Sequence, residues 1–211
     1  MYLNYHKVFK NKKVIITGHT GFKGSWLTSW LLKLGAKITG ISSNIPSKPS
    51  HFKYLKIEKK IKNYSLDIRD FKSFKKIINR VNPDFIFHLA AQALVKESYN
   101  EPLSTFGSNT VGTLNLMEIL RSYKKKCTVV IITSDKVYKN LESKKGYKEN
   151  SALGGIDPYS GSKAAAELII DTYLKSYFLK KNNNISIAVA RAGNVIGGGD
   201  WAKNRLIPDC M

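Results

Sequence analysis

Residues 12–34 read Lys12-Lys-Val-Ile-Ile-Thr17, Gly18-His-Thr-Gly-Phe-Lys-Gly24 and Ser25-Trp-Leu-Thr-Ser-Trp-Leu-Leu-Lys-Leu34. An apolar, β-branched run is followed by closely spaced glycines and then by an apolar pattern typical of a helix. In the spacing G-x-x-G-x-x-G, the glycines let the backbone approach a pyrophosphate at the positive N-terminus of that helix. The stretch therefore predicts a strand, a phosphate-binding turn and a helix.

The same alternation of strand and helix continues along the chain. Strands are predicted at 12–17, 37–42, about 63–67, 84–89, 127–133 and 185–191, with further helices at 71–80, about 105–123 and 158–179. Near-continuous apolar strands separated by amphipathic helices predict a parallel sheet covered on both faces, which is a doubly wound α/β domain. The polar stretch 139–157 is predicted to be a loop over the active site.

Composition limits the class of protein. The two cysteines, Cys127 and Cys210, give no disulfide framework, and no apolar run reaches the length of a membrane span, so we expect a cytoplasmic protein that does not enter a membrane. The formal charge is +20, but the lysines are spread along the whole chain. We therefore expect a solvated basic surface, attractive to an anionic sugar nucleotide, rather than a nucleic-acid partner.

Three residues suggest proton-transfer chemistry. Tyr159 and Lys163 are four residues apart, which places a phenol and an ammonium on one helix face, and the cation is expected to favour the phenolate. Ser134 follows a predicted strand and can share a substrate hydroxyl with that phenolate. A packed tyrosine beside a lysine would be the alternative interpretation, but the glycine-rich turn upstream favours an enzyme.

The chemistry of the predicted second strand leaves the cofactor open. No acidic residue precedes Glu58, so Ser42, Ser43 or Asn44 would have to bind the adenosine ribose, and both NAD and NADP fit. Asp67 follows the third strand and suits an adenine amino group, whereas Asp70 either does the same or caps the next helix.

Several motifs together resemble a known family. They are Gly18 to Leu27, His88-Leu-Ala-Ala-Gln92 with Ser98-Tyr99, Asn109-x-x-Gly-Thr113, Thr133-Ser-Asp-Lys136, Gly154-Gly-x-Asp-Pro-Tyr-Ser-x-Ser-Lys163 and Arg191 to Trp201. On these residues the chain resembles the extended short-chain dehydrogenase/reductases, a Rossmann-like group, and within them the CDP-glucose 4,6-dehydratases.

The resemblance implies a lyase in deoxy-sugar metabolism for surface polysaccharide. NAD would take hydride from C4 of CDP-glucose and return it to C6 after loss of water across C5 and C6, giving CDP-4-keto-6-deoxyglucose. Tyr159 would be the base for the 4-hydroxyl, supported by Ser134 and Lys163. Asp135 would protonate the departing 6-hydroxyl, and Lys136 would take the C5 proton where the wider dehydratase pattern carries Glu. A lysine can do this only with a lowered pKa, from burial or a neighbouring cation.

The resemblance also assigns binding residues and an organisation. Residues 1–195 would form the NAD-binding domain, and residues 196–211 would begin a substrate-binding region that is largely missing, as in a fragment or truncated product. A homodimer is implied, and no metal. Sugar-nucleotide contacts fall at Asn194 and Arg205; besides Tyr159 and Lys163, cofactor contacts fall at Gly18, Gly21, Phe22, Gly24, Asp67, Ile68, Leu89, Ala90, Ala91, Gln92 and Asn109.

Three alternatives remain. A sugar-nucleotide 4-epimerase needs Ser134, Tyr159 and Lys163 but no acid and base for water, and Asp135-Lys136 argues against it. A dehydratase for another sugar nucleotide would more naturally carry Glu at position 136. A noncatalytic NAD-binding module would hold the cofactor without turning over a sugar.

Overall fold

The computed structural model describes residues 4–179 and 184–210, and its centre is a six-stranded parallel sheet. Across the sheet the order is β3-β2-β1-β4-β5-β6. The predicted doubly wound α/β fold is confirmed, and the strand order reverses between β1 and β4, where the carboxyl ends of the strands border a crevice. The strands are β1 (Lys13–Thr17), β2 (Lys37–Ser42), β3 (Lys62–Ser65), β4 (Phe85–His88), β5 (Cys127–Ile132) and β6 (Ile185–Ala190).

Helices cover both faces of this sheet. No helix formed by the described residues is long and apolar enough to cross a bilayer. Met1 and Met211, the outer limits of the two predicted domains, lie outside the described residues. The helices are α1 (Tyr5–Phe9), α2 (Phe22–Lys33), α3 (His51–Tyr54), α4 (Phe71–Val81), α5 (Val95–Asn100), α6 (Pro102–Phe106), α7 (Gly112–Arg121), α8 (Pro158–Tyr173) and α9 (Leu206–Cys210).

The apolar run of β1 is buried on both sides. Ile15 belongs to a large cluster with residues of α4, α7 and α8, while Val14 and Ile16 belong to a second cluster with residues of α1 and α2. Each of these three side chains is 0% exposed. Because successive strand residues point to opposite faces, a strand covered on both faces must be apolar throughout.

The predicted helix over 105–123 is interrupted. Helix α6 ends at Phe106, a π-helical turn occupies Gly107–Val111, and α7 begins at Gly112. A π-turn inserts one residue into the helical ladder, and such turns occur frequently at functional sites. Helix α8 likewise ends at Tyr173 and continues as a π-turn over Leu174–Phe178, within the predicted range of 158–179.

Candidate active site

The glycine turn between β1 and α2 forms a close-packed cradle. Gly18 has a φ of 73°, and a Cβ there would lie 2.7 Å from the backbone nitrogen of Ala90. A Cβ on Gly24 would lie 2.1 Å from the carbonyl oxygen of Gly18. Gly21 precedes the first residue of α2 and offers no side-chain cap to its N-terminus. The glycine backbone, which carries no side chains, and the helix dipole together fit the pyrophosphate of a dinucleotide.

His19 is a buried residue of this cradle whose role the sequence did not indicate. Its Nε2 lies 2.8 Å from Asn63 Oδ1, and its Nδ1 lies 2.9 Å from Ser42 Oγ. A Cβ on Gly40 would come within 2.4 Å of the imidazole ring, so only glycine leaves room for it. Burial lowers the pKa of His19, which favours the neutral ring. The imidazole thus links the first glycine turn to β2 and β3.

This contact changes the choice of ribose-binding residue. Ser42 is buried and already engaged by His19, whereas Ser43 and Asn44 are exposed just beyond β2. Of the three candidates that the sequence predicted, Ser43 and Asn44 are therefore the accessible ones.

The two candidate carboxylates after β3 have different surroundings. Asp67 binds the guanidinium of Arg69, with a shortest distance of 2.6 Å, and this hydrogen bond lowers the pKa of Asp67. Asp70 caps α4 by accepting the backbone N–H of Ser73 at 3.1 Å. Ile68 is buried between them. Asp70 therefore takes the capping role among its two predicted roles, and Asp67 remains the candidate for the adenine contact.

His88 organises the strand end that leads to Leu89 and Ala90. Thr17 Oγ1 accepts the backbone N–H groups of Leu89 and Ala90 at 3.2 and 3.1 Å, so its own proton is directed to His88 Nδ1 at 2.9 Å. The ring proton therefore sits on Nε2, 3.4 Å from Thr113 Oγ1. Burial, with a smaller effect of the Lys163 charge, lowers the pKa of His88 to about 3.

We predict that His88 makes the protein sensitive to acid. The unfolded chain takes up a proton near pH 6.5, whereas the folded chain does not until about pH 3, so the free energy of unfolding falls as pH drops through this window. The slope is about 1.4 kcal/mol per pH unit, or about 2 kcal/mol at pH 5. Urea unfolding of the wild type and of His88→Asn at pH 7 and pH 5 should show this difference. The exposed His6→Asn is the control, and equal losses in wild type and His88→Asn would contradict the prediction.

Asn109 lies in the π-turn and ties two parts of the site together. Its Oδ1 accepts the Gln92 backbone N–H at 2.9 Å, and its Nδ2 donates to the Gln92 carbonyl at 3.0 Å and to Ser162 Oγ at 2.9 Å. The side chain is 1% exposed. The structure thus shows Asn109 holding Gln92 against α8, and the cofactor contact of Asn109 stays a prediction.

Helix α8 brings Tyr159 and Lys163 beside the carboxyl end of β5. Both are buried, and Lys163 Nζ donates to the carbonyl of Ile132 at 3.2 Å. Burial raises the pKa of Tyr159, while a hydrogen bond with Ser134 and the charge of Arg205 act in the opposite direction. The predicted lowering of the phenol pKa by Lys163 is not seen, because burial of the ring is the larger effect and the ammonium is directed to Ile132.

Lys163 is coupled to a second lysine across the crevice. Burial and the positive charge of Lys23, on the first turn of α2, lower the pKa of Lys163 to about 8, against an opposing effect of Glu167. Burial and Arg205 in turn lower the pKa of Lys23. Lys23 is thus a site residue that the sequence did not single out, because its proximity to α8 depends on the folded sheet.

Removing Lys23 should make Lys163 easier to protonate. In Lys23→Met the neighbouring charge is absent, so the pKa of Lys163 should rise above about 8. An NMR titration of isotope-labelled lysine side chains measures this, with the Lys163 signal assigned by its disappearance in Lys163→Met. The exposed Lys33→Met, on the same helix, should leave the titration unchanged. An unshifted midpoint in Lys23→Met would contradict the coupling.

Asp135 and Lys136 lie on the short turn that follows Ser134. The Ser134 hydroxyl donates to Asp135 Oδ1 at 3.1 Å and accepts the Lys136 backbone N–H at 3.2 Å. Both residues are exposed. The interpretation of Lys136 as a base requires that burial or a neighbouring cation lower its pKa. The described residues do not bury Lys136, so burial would have to come from a bound sugar.

The segment after β6 runs beside this turn. The Ala192 carbonyl accepts the Asp135 backbone N–H at 3.1 Å, and exposed Asn194 follows two residues later. Arg205 lies with its Nε 3.6 Å from Asp200 Oδ2, and this Nε is buried with no hydrogen-bond partner among the described residues. An unsatisfied guanidinium N–H beside the site can bind an anionic group of a ligand.

Known proteins resemble this chain in sequence and fold. A protein-family model described as GDP-mannose 4,6 dehydratase matches residues 15–190. CDP-glucose 4,6-dehydratase of Salmonella typhimurium is 45% identical over 96% of this chain and 57% of its own length. The UDP-glucose 4-epimerase of Thermus thermophilus, solved in complex with NAD, is 27% identical with a TM-score of 0.76, over 91% of this chain and 58% of that one.

A dehydratase structure matches equally well. The dTDP-glucose 4,6-dehydratase of Bacillus anthracis, in complex with NAD, is 26% identical with a TM-score of 0.75, over 93% of this chain and 59% of that one. The chain thus spans a little under three fifths of the length of these relatives.

Proposed function

The chain belongs to the family that the GDP-mannose 4,6 dehydratase model describes, and from that premise we propose that it carries the cofactor-binding and catalytic part of a CDP-glucose 4,6-dehydratase. The observation that carries the proposal is the meeting of Ser134, Tyr159 and Lys163 at the end of β5, with Asp135 on the adjoining turn. The 45% identity to a CDP-glucose 4,6-dehydratase supports this substrate over other sugar nucleotides.

NAD is the proposed cofactor. The cradle of Gly18, Gly21 and Gly24 fits a pyrophosphate, and the related structures named above are NAD complexes. Residues 89–92 follow β4, beside the Gly18 turn, and are the proposed continuation of the cofactor site; Thr17 binds the backbone of Leu89 and Ala90, and Asn109 binds that of Gln92. When bound, NAD+ would accept the hydride from C4 of the sugar and return it to C6.

The protein's own residues would move the protons. Tyr159, in its phenolate form, would take the proton of the 4-hydroxyl, which Ser134 shares, and Lys163 would hold the cofactor ribose. The resulting C4 ketone makes the C5 proton acidic. Lys136 would remove that proton, and Asp135 would protonate the departing 6-hydroxyl, so that one water is lost.

Substrate contacts are proposed in the segment after β6. Asn194 follows two residues after Ala192, whose carbonyl binds the Asp135 turn, and Arg205 offers an unsatisfied N–H that suits a diphosphate oxygen. We assign residues 1–195 to the cofactor domain and residues 196–211 to the start of the substrate-binding region.

A homodimer is proposed through helices α5, α6 and α8. Apolar side chains on these helices are exposed, among them Tyr99, Leu103 at 89% and Leu168 at 57%. Exposed apolar side chains on neighbouring helices are typical of a protein–protein interface.

A cytoplasmic location is proposed as well. Cys127 and Cys210 are unpaired thiols, which agrees with it.

The test is to incubate the protein, with any natural continuation of its chain included, with CDP-glucose and NAD+, and to analyse the sugar nucleotide by mass spectrometry. A product lighter by one water from CDP-glucose, and not from dTDP-glucose or UDP-glucose, is expected. An isomer of unchanged mass would indicate an epimerase. Binding of NAD without turnover of any sugar nucleotide would indicate a noncatalytic module.

A further inference from the structure

An ion pair between a partly buried arginine and a buried glutamate lies behind the candidate catalytic residues. Arg191, directly after β6, donates from Nε to both carboxylate oxygens of Glu167 at 2.8 and 2.9 Å, and its Nη2 also contacts that carboxylate. Glu167 lies on α8, one turn after Lys163 and two turns after Tyr159, and is 5% exposed. Its Oε1 also accepts the hydroxyl proton of Thr133 at 2.6 Å. The pair therefore joins β6, α8 and the residue that precedes Ser134.

The other side of the same guanidinium holds the irregular segment 139–157. Arg191 Nη1 donates to the carbonyl of Glu149 at 2.9 Å. The guanidinium also lies over the ring of Tyr138, 4.8 Å from its centroid, and that ring stacks on Tyr147 at 5.1 Å. One arginine thus contacts Tyr138, directly before the segment, and Glu149, in its middle, while it is paired with Glu167 of α8.

Both ends of the segment adjoin catalytic residues. Tyr138, three residues beyond Asp135, forms an antiparallel bridge with Leu153. At the other end, a Cβ on Gly155 would lie 2.4 Å from the backbone nitrogen of Gly161, so the segment packs tightly on the first turn of α8. The segment therefore connects the turn after Ser134 to the first turn of α8, which carries Tyr159.

We propose that Arg191 and Glu167 are positioning residues, which hold segment 139–157 in place and thereby set the Ser134 turn against Tyr159. The structural part rests on the contacts above, and the catalytic part rests on the proposed function. An arginine is required here because its planar guanidinium contacts the Glu167 carboxylate, the Glu149 carbonyl and the Tyr138 ring at the same time. The ammonium of a lysine is a compact point charge and cannot make all three contacts. Removal of the arginine charge would leave the Glu167 carboxylate buried and unpaired.

Trypsin provides a test that does not depend on activity. Segment 139–157 contains the exposed Lys144, Lys145 and Lys148, and cleavage there requires the segment to leave its docked position. Arg191→Lys, which adds no tryptic site, and Tyr138→Leu should each accelerate cleavage in this segment by about tenfold or more. Glu149→Gln is the matched control, because only the backbone carbonyl of Glu149 takes part.

Kinetics test the catalytic part. Both variants should lower kcat for the proposed dehydratase by about tenfold or more with little change in KM for CDP-glucose, as expected when reacting groups are misplaced while substrate binding is retained. Unchanged cleavage rates in folded Arg191→Lys and Tyr138→Leu would overturn the inference. If Arg191→Lys does not fold, Tyr138→Leu decides alone, since it leaves the ion pair intact. A wild type without turnover would refute the proposed function, while the cleavage rates would still test the docking.

Discussion

Replacing Tyr159 by phenylalanine is expected to abolish oxidation of the sugar nucleotide, with a loss of about 10² to 10⁴-fold or more in the rate of cofactor reduction. The ring is buried, so phenylalanine fills the same space and the fold should be retained. The only group removed is the hydroxyl, which interacts with Ser134 and, once ionised to the phenolate, accepts the substrate proton in the proposed mechanism. The measurement is the absorbance of reduced nicotinamide in a single turnover with CDP-glucose.

A second tyrosine of α8 provides the matched control. Tyr173 donates its hydroxyl to Glu118 Oε2 at 3.1 Å, more than three helical turns from Tyr159. Tyr173→Phe should therefore keep the wild-type rate. The assignment of Tyr159 as the base would be refuted if Tyr159→Phe bound CDP-glucose and NAD+ and still reduced the cofactor at the rate of Tyr173→Phe.

The sheet and its crevice were predictable because their signals are local. The apolar run before Gly18 must be a strand buried on both faces, and the glycines that follow have the spacing required by the tight approach of Gly24 to the Gly18 carbonyl. The i, i+4 spacing of Tyr159 and Lys163 likewise fixes their common helix face. Such features depend on neighbours in sequence, so a single sequence contains them.

The residues that arrange the site were not predictable in the same way. His19 fits its pocket only because Gly40, on the next strand, has no side chain. Glu167 and Arg191 are 24 residues apart and meet only after β6 has paired with β5. The π-turn that directs Asn109 toward Gln92 also depends on tertiary contacts. Periodicity along the chain has no signal for contacts made across the sheet.

The sharpest separation of the two chemical steps is expected from Lys136→Ala. The variant should still oxidise CDP-glucose, because Tyr159, Ser134 and Lys163 are untouched, but elimination of water should slow by about 10² to 10⁴-fold, as expected for removal of a general base. Reduced cofactor should accumulate while mass spectrometry finds no dehydrated product, and C5 should not exchange its proton with deuterated solvent.

The control is Lys139→Ala, which changes another exposed lysine three residues later and should leave dehydration at the wild-type rate. Lys136→Glu should restore part of the activity, since a carboxylate can serve as the same base. An equal decrease of oxidation and dehydration in Lys136→Ala would show instead that the side chain supports the turn of Ser134 or the binding of the sugar.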